Sequence, residues 1–137
     1  MNSEESNKLI AFKIRKSNQS IKAAQLLIEN NFYNEAINRI YYACFYLVSA
    51  LLHKNNINAK THAGVKTMLH KNFTLTNLID EELAAFYSSI FFFRHSSDYE
   101  EGIEYEKEVT IGLYKEAISF LDSFQNLLNH SQNNLKQ

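Results

Sequence analysis

The 137-residue sequence has no proline and no tryptophan, a single cysteine, and only three glycines, Gly64, Gly102 and Gly112. With so few breakers, and no stretch in which apolar and polar residues alternate, nothing reads as a strand. A lone cysteine forms no internal disulfide. Cys44 stands in an apolar stripe and is expected to be a buried structural thiol, which fits a reducing compartment. Met1–Lys8 is polar and acidic with no apolar leader segment, and no apolar run approaches the ~20 residues of a membrane span. A soluble, cytoplasmic protein is the expectation. The motifs of metal and phosphate chemistry are also missing: no Glu-x-x-His, no Cys-x-x-Cys, no His-Glu-x-x-His and no Gly-rich loop. Among the histidines only His62 and His70 have a ligand-like spacing, two turns apart, and that pair is expected to be solvated rather than metallated. No metal and no cofactor are expected.

Acidic residues are absent from 36–79, which holds Arg39, Lys54, Lys60, Lys66 and Lys71, whereas 80–137 carries eleven acids against four bases. The formal net charge of −1 hides this asymmetry. It implies either two electrostatically distinct surfaces, or halves that neutralise each other within the fold or across a dimer.

What the sequence does have is helical periodicity. In residues 34–54, Ile37, Tyr41, Cys44, Val48 and Leu51 form one stripe, and Ala36, Ile40, Ala43, Leu47 and Ala50 form the adjacent one. Two neighbouring stripes are too wide for a surface helix, so this one is predicted to be nearly surrounded by others. A narrow polar-tipped line remains: Arg39, Tyr42, Tyr46, Ser49 and His53. Before it, the spacing of Ile10, Ile14, Ser17, Ile21, Ala24 and Ile28 predicts a helix over about Ser3–Glu29, closed at Asn30 and Asn31. After it, Thr61 is a candidate N-cap for a short helix over His62–Asn72, weakened by Gly64 in its first turn. A fourth helix opens at Asp80-Glu81-Glu82 and carries Leu83, Phe86, Ile90 and Phe93 inward, in line with Ile79. The pattern breaks over Ser96–Gly102. A last helix runs from about Ile103 to Asn129 with Val109, Leu113, Ala117, Phe120, Phe124 and Leu127 inward, before a frayed polar tail, 130–137. The predicted fold class is all-α: an antiparallel four-helix up-and-down bundle with one additional short helix, in a single domain over 1–137 with its core at about 5–128. Phe91, Phe92 and Phe93 cannot all face one neighbour at ~100° per residue. One of them is expected either to meet a second subunit or to be covered by another helix of the same chain.

The chemistry-bearing stretch is Phe91-Phe92-Phe93-Arg94-His95-Ser96-Ser97-Asp98-Tyr99. An arginine at the end of an aromatic stripe is anchored by its stem and offers its fork of donors to phosphate or carboxylate. His95 titrates in the neutral range when unperturbed, and Asp98 and Tyr99 stand close enough in sequence to orient it. The competing reading is a helix C-terminus in which Arg94 and His95 cover terminal carbonyls and Asp98 caps a turn.

The string Asn38-Arg39-Ile40-Tyr41-Tyr42-Ala43-Cys44-Phe45-Tyr46, followed by Ala50-Leu51-Leu52, resembles the second-helix signature of HEPN-domain proteins. The resemblance extends through His62-Ala63-Gly64-Val65 to Arg94 and the Asp98-Tyr99 pair. It implies a small helical bundle that often dimerises, commonly partnered with a nucleotidyltransferase in toxin–antitoxin-like pairs. In active members it implies a metal-independent ribonuclease with an arginine, a polar residue, and a histidine four to six residues beyond the arginine. Here Arg94 and His95 match the first two, but Tyr99 stands where the histidine is expected. A tyrosine with pKa near ~10 is a poor general base at neutral pH. Six acids between Asp98 and Glu108 would repel RNA phosphates there, which makes the basic 39–71 region the better candidate for phosphate contact.

The sequence reading therefore favours binding over catalysis. A groove of Arg39, Tyr42, Tyr46, Arg94, Asp98 and Tyr99 engages a nucleotide or RNA, a nucleotidyltransferase-type partner, or both, in a homodimer. The alternatives are an endoribonuclease toxin using Arg94 with His95 or Tyr99, and a purely structural or regulatory subunit.

Overall fold

The computed structural model describes residues 2–134, with side chains described as far as Asn129. Helix α1 spans Ser3–Glu29, α2 Tyr33–Lys54, α3 His62–Leu69, α4 Glu81–Tyr99 and α5 Lys107–Asn134, and a π-helical turn, His70–Thr74, continues α3. No strand occurs among the described residues, as expected for an all-α fold. The side-chain pairings fix the directions. From Ser17–Ala43 through Lys13–Ser49 to Ser6–His53, α1 descends as α2 rises, so the two are antiparallel. Asn38–Asp98 and Tyr42–Arg94 make α4 antiparallel to α2 as well. Asn34 meets Ile103 and Lys54 meets Leu128, so α5 runs alongside α2 in the same direction.

Asparagine closes α1, α2 and the turn that follows the π segment in this glycine-poor chain. Asn31, Asn56 and Asn77 all have positive φ, at 67°, 59° and 60°. At each, the next residue's N–H reaches back to close the turn: Phe32 to Leu27 O, Ile57 to Leu52 O, and Leu78 to Phe73 O. This is the helix-closing pattern usually built on glycine, and asparagine is the residue that best tolerates the left-handed conformation in its place. At the N-termini, Asn2 accepts from Glu5 N at 2.8 Å and Thr61 from Gly64 N at 2.8 Å. Gly64 permits the second cap: a Cβ there would sit 2.9 Å from the Thr61 hydroxyl.

All ten residues of the two α2 stripes are buried, with Leu52 beside them, and α1, α3, α4 and α5 surround them. Cys44 is among them, and burial pushes its thiol pKa well up. Ser17 is also buried, because its hydroxyl donates to Ala43 O at 2.8 Å and satisfies itself on the neighbouring helix.

Four boundaries differ from expectation. First, α3 ends at Leu69 and continues as the π turn to Thr74, closed by Leu75 N donating to His70 O, instead of running as α-helix to Asn72. Second, α4 does not break at Ser96. Ser96 is buried, the Ser97 hydroxyl bonds Arg94 O, and Arg94 pairs with Asp98 one turn on, so the helix holds to Tyr99. Asp98 is thus a last-turn residue of α4 and does not cap a following turn. Third, α5 starts at Lys107 because Asn34 ties down the irregular segment before it: its Nδ2 donates to Ile103 O at 2.7 Å and its Oδ1 accepts from Tyr105 N at 2.9 Å. Leu113, Ala117, Phe120 and Phe124 face inward as expected, and the difference lies at the first turn. Thr110 is buried in place of Val109, which is exposed. Fourth, α5 continues past Asn129 to Asn134; of the expected frayed tail, residues 135–137 lie outside the described residues.

Asn34→Ala removes both bonds to the α4–α5 connection and leaves a carbonyl and an N–H without partners. The expected cost is about 2 kcal/mol, read by urea denaturation with an unchanged m-value.

Candidate functional site

Where α4 crosses the first half of α2, Arg94 is held by aromatic rings. Its guanidinium carbon lies 5.4 Å from the Tyr41 ring centroid, 5.6 Å from that of Tyr42 and 5.5 Å from that of Tyr99. Arg94 Nη2 donates to the Tyr42 hydroxyl at 3.4 Å, a long bond. Arg94 Nε approaches Asp98 Oδ2 to 3.0 Å as an ion pair, without the alignment of a hydrogen bond, so the buried Nε–H has no hydrogen-bond partner. The Arg94 side chain is 14% exposed and that of Asp98 27%.

Asn38 joins this arginine to a second one. Its Nδ2 donates to Asp98 Oδ2 at 3.0 Å, and its Oδ1 accepts from Arg39 Nε at 3.0 Å and Nη2 at 2.7 Å. Arg39 also packs over the Tyr42 ring, 4.8 Å from its centroid. Two guanidiniums therefore bear on one tyrosine ring, linked through Asn38 and Asp98. A cleft of about 390 Å³ opens beside Arg39, between Asn34, Glu35 and Asn38 of α2 and Ser97 and Asp98 of α4.

Of the expected site residues, the structure brings together Arg39, Tyr42, Arg94, Asp98 and Tyr99. Tyr46 extends the aromatic row one turn further, 6.2 Å from Tyr42 between ring centroids. Ser49 and His53, the far end of the polar line, are covered by α1 through Lys13 and Ser6. His95 is exposed and packs on Tyr99, centroids 5.0 Å apart. Being adjacent to Arg94, it leaves the helix ~100° further round.

Sequence reasoning missed His62, Tyr41 and Asn38. His62 was expected to be solvated with His70, yet it is half-buried, its ring 4.6 Å from that of Phe45 and 5.7 Å from that of Tyr42. Tyr41, assigned to the core stripe, is fully buried but places its hydroxyl 2.7 Å from His62 Nδ1. Burial, partly offset by the Arg94 charge, pushes the Tyr41 pKa up to about 12. The His62 pKa is lowered, first by burial and then by the Arg94 charge. Tyr41 thus keeps its proton, with the His62 ring and the Tyr87 hydroxyl as its neighbours. With that proton donated to Nδ1, the neutral imidazole carries its N–H on Nε2. Only the membership of His62 and Asn38 in the resemblance strings marked them in the sequence. The spacing of His62 to Arg94 carries no signal, because it depends on the path of a loop.

The lowered His62 pKa predicts a pH effect. Below the usual histidine range the unfolded chain takes up the proton before the folded one. Stability is therefore full above pH ~6.5 and is lost as pH falls toward 5. His62→Gln is expected to flatten the fall in Tm between pH 7.5 and 5, measured by circular dichroism; an unchanged slope would remove His62 as its source.

The bases of 36–79 do not form one surface. Lys54 lies about 22 Å along α2 from Arg39 at 1.5 Å per residue, bonded to Leu128 O. Lys66 leans on Phe91, 4.9 Å from the ring centroid. Among the described residues the ion pairs are Glu4–Lys8 and Arg94–Asp98, so no pair joins these bases to the acidic C-terminal half. Nor does any group of three or more His, Cys, Asp or Glu side chains gather there as a metal site. No helix among them is long and apolar enough to cross a membrane.

Comparison with known proteins agrees with this architecture. A family model described as the HEPN domain matches residues 10–131. A Thermotoga maritima protein described as a UPF0332 protein is 36% identical over 90% of this chain and 94% of its own length. Two Methanocaldococcus jannaschii proteins, each carrying the description "putative toxin", are 38% identical over 84% of the chain and 78% of their own length in one case, and 34% over 80% and 81% in the other.

Proposed function

Since the chain belongs to the HEPN domain family, we propose that it is a toxin-like HEPN module that acts by binding single-stranded RNA at the Arg39–Tyr42–Arg94 surface. The observation that carries this reading is the pair of guanidiniums bearing on the Tyr42 ring, linked by Asn38 and Asp98. Phosphates are gripped by the arginines, whose forks match them, and bases stack on the half-buried Tyr42 and Tyr46 and the exposed Tyr99. The relatives described as toxins support the toxin-like setting.

Binding is favoured over cleavage by the state of the nearby histidine. With Tyr41 donating to Nδ1, His62 presents Nε2 as a donor, which suits contact with a phosphate oxygen better than proton abstraction. His95 and Tyr99 are the remaining groups for a ribonuclease. Both are exposed at the end of α4, and neither is bound to Arg94 by a hydrogen bond.

The reading extends to partners and place. A second copy of the chain is proposed to cover Phe92, which is 61% exposed while Phe91 and Phe93 pack on Tyr41 and Tyr105. A nucleotidyltransferase-type protein is the partner implied by the family, in the cytoplasm. Sizing in solution tests the first of these: a clean monomer at micromolar concentration removes the dimer.

The function is tested by incubating the protein with single-stranded RNA in EDTA. Uncut RNA, bound with an affinity that falls as salt rises, is the expected result. Cleavage by the wild type that an Arg94→Ala, His95→Ala double variant lacks would replace binding with the ribonuclease reading. Neither binding nor cleavage would leave a structural or regulatory subunit.

A further inference from the structure

Toward the start of α4, away from the Asn38–Asp98 link near its end, the π turn opens a larger cavity of about 610 Å³, within the range of small-molecule sites. Lys66, His70, Lys71 and Thr74 line it from α3 and the π turn, and Glu81 and Tyr87 from α4. Lys66 and His70 are four residues apart and share a helix face. The wider π turn brings Lys71 onto the same cavity, and such turns recur at functional sites.

Two features of the lining are unfinished. Thr74 Oγ1 is buried and has no hydrogen-bond partner, although buried hydroxyls are almost always satisfied. The Tyr87 ring stacks against Tyr41, and its hydroxyl faces that of Tyr41. The cations are unfinished too: neither Lys66 nor Lys71 forms an ion pair among the described residues, even though Glu81 lines the same cavity. The Lys66 ammonium rests on Phe91 with its donors otherwise uncommitted.

We propose that this cavity is a second ligand site, separate from the Arg94 surface, for a small organic phosphate with a hydroxylated body. Lys66, His70 and Lys71 take the phosphate, since two ammonium groups and an imidazole on one wall match a dianion better than a single carboxylate. A hydroxyl of the body supplies a partner for Thr74. The site does not depend on the RNA-binding reading, because it shares no residue with it.

Ribose 5-phosphate is the probe, with ribose as the uncharged control, each titrated to about 10 mM and followed by the amide NMR spectrum of the whole chain. The expected result is saturable shifts in 66–77 and 81–88 with ribose 5-phosphate only. The Lys66→Gln, Lys71→Gln double variant is expected to bind at least about five-fold more weakly. Thr74→Val keeps the shape and removes the unpaired hydroxyl. It is expected to melt higher than the wild type without ligand, yet bind the probe at least about three-fold more weakly. A merely structural Thr74 would change stability alone. No saturable shift, equal shifts with ribose, shifts centred on Arg94 and Tyr99, or unchanged affinity in Thr74→Val would each overturn the proposal.

Discussion

Phe120→Ala is expected to destabilise the protein by about 3–5 kcal/mol, lowering Tm by roughly 10–20 °C in a chain of this length. Phe120 is 1% exposed and stands where α5 meets α4. Its ring stacks on Phe124 at 4.4 Å between centroids, lies 6.1 Å from Tyr87 at a 15° interplanar angle, and 5.6 Å from Phe86. Alanine leaves a void lined by rigid rings, which cannot collapse as a set of flexible aliphatic chains can, so the cost is expected to lie toward the upper end. Phe92→Ala is the matched comparison. That ring is 61% exposed, and its loss is expected to change monomer stability by no more than about 0.5 kcal/mol. Chemical denaturation of the two variants measures both. Equal losses would mean that Phe92 is covered in solution.

Arg94→Lys is expected to weaken RNA binding at least about ten-fold, nearly as much as Arg94→Ala, because the two cations are not interchangeable in this setting. The guanidinium lies against three tyrosine rings while one edge faces Asp98, and an ammonium on a flexible stem cannot make both contacts. Asp98→Asn sharpens the test. It makes the surface more positive, so long-range electrostatics alone predicts tighter binding to RNA. If Asp98 instead orients Arg94 and, through Asn38, Arg39, the same change weakens binding despite the added positive charge. Fluorescence anisotropy with a labelled single-stranded oligonucleotide at two salt concentrations reads both variants. Affinity retained in Arg94→Lys, or gained in Asp98→Asn, would show that charge rather than geometry governs the site.

The sequence by itself determined the central helix almost completely. The ten stripe residues from Ala36 to Leu51 are all buried, because a 3.6-residue period with no breaker leaves only one way to bury two adjacent stripes. It also marked the asparagine at which α1 ends, since the conformational tolerance behind that ending is local. Arg39, Tyr42 and Arg94 were legible for a related reason: each stands at the polar edge of an apolar periodicity, so its helix face places it.

Tertiary structure alone decided the rest. Ser96–Tyr99 read as a loop because serines and aspartate favour turns locally, but the Asp98 contacts with Arg94 and Asn38 hold that last turn helical. The start of α5 depends on Asn34, some seventy residues away in the chain. His62 meets Tyr41 only because the loop after α2 folds back over it. Periodicity reports which face of a helix is buried, and that is a local property. Which polar atoms then find each other across helices depends on the path of the connections, and no local pattern encodes that path.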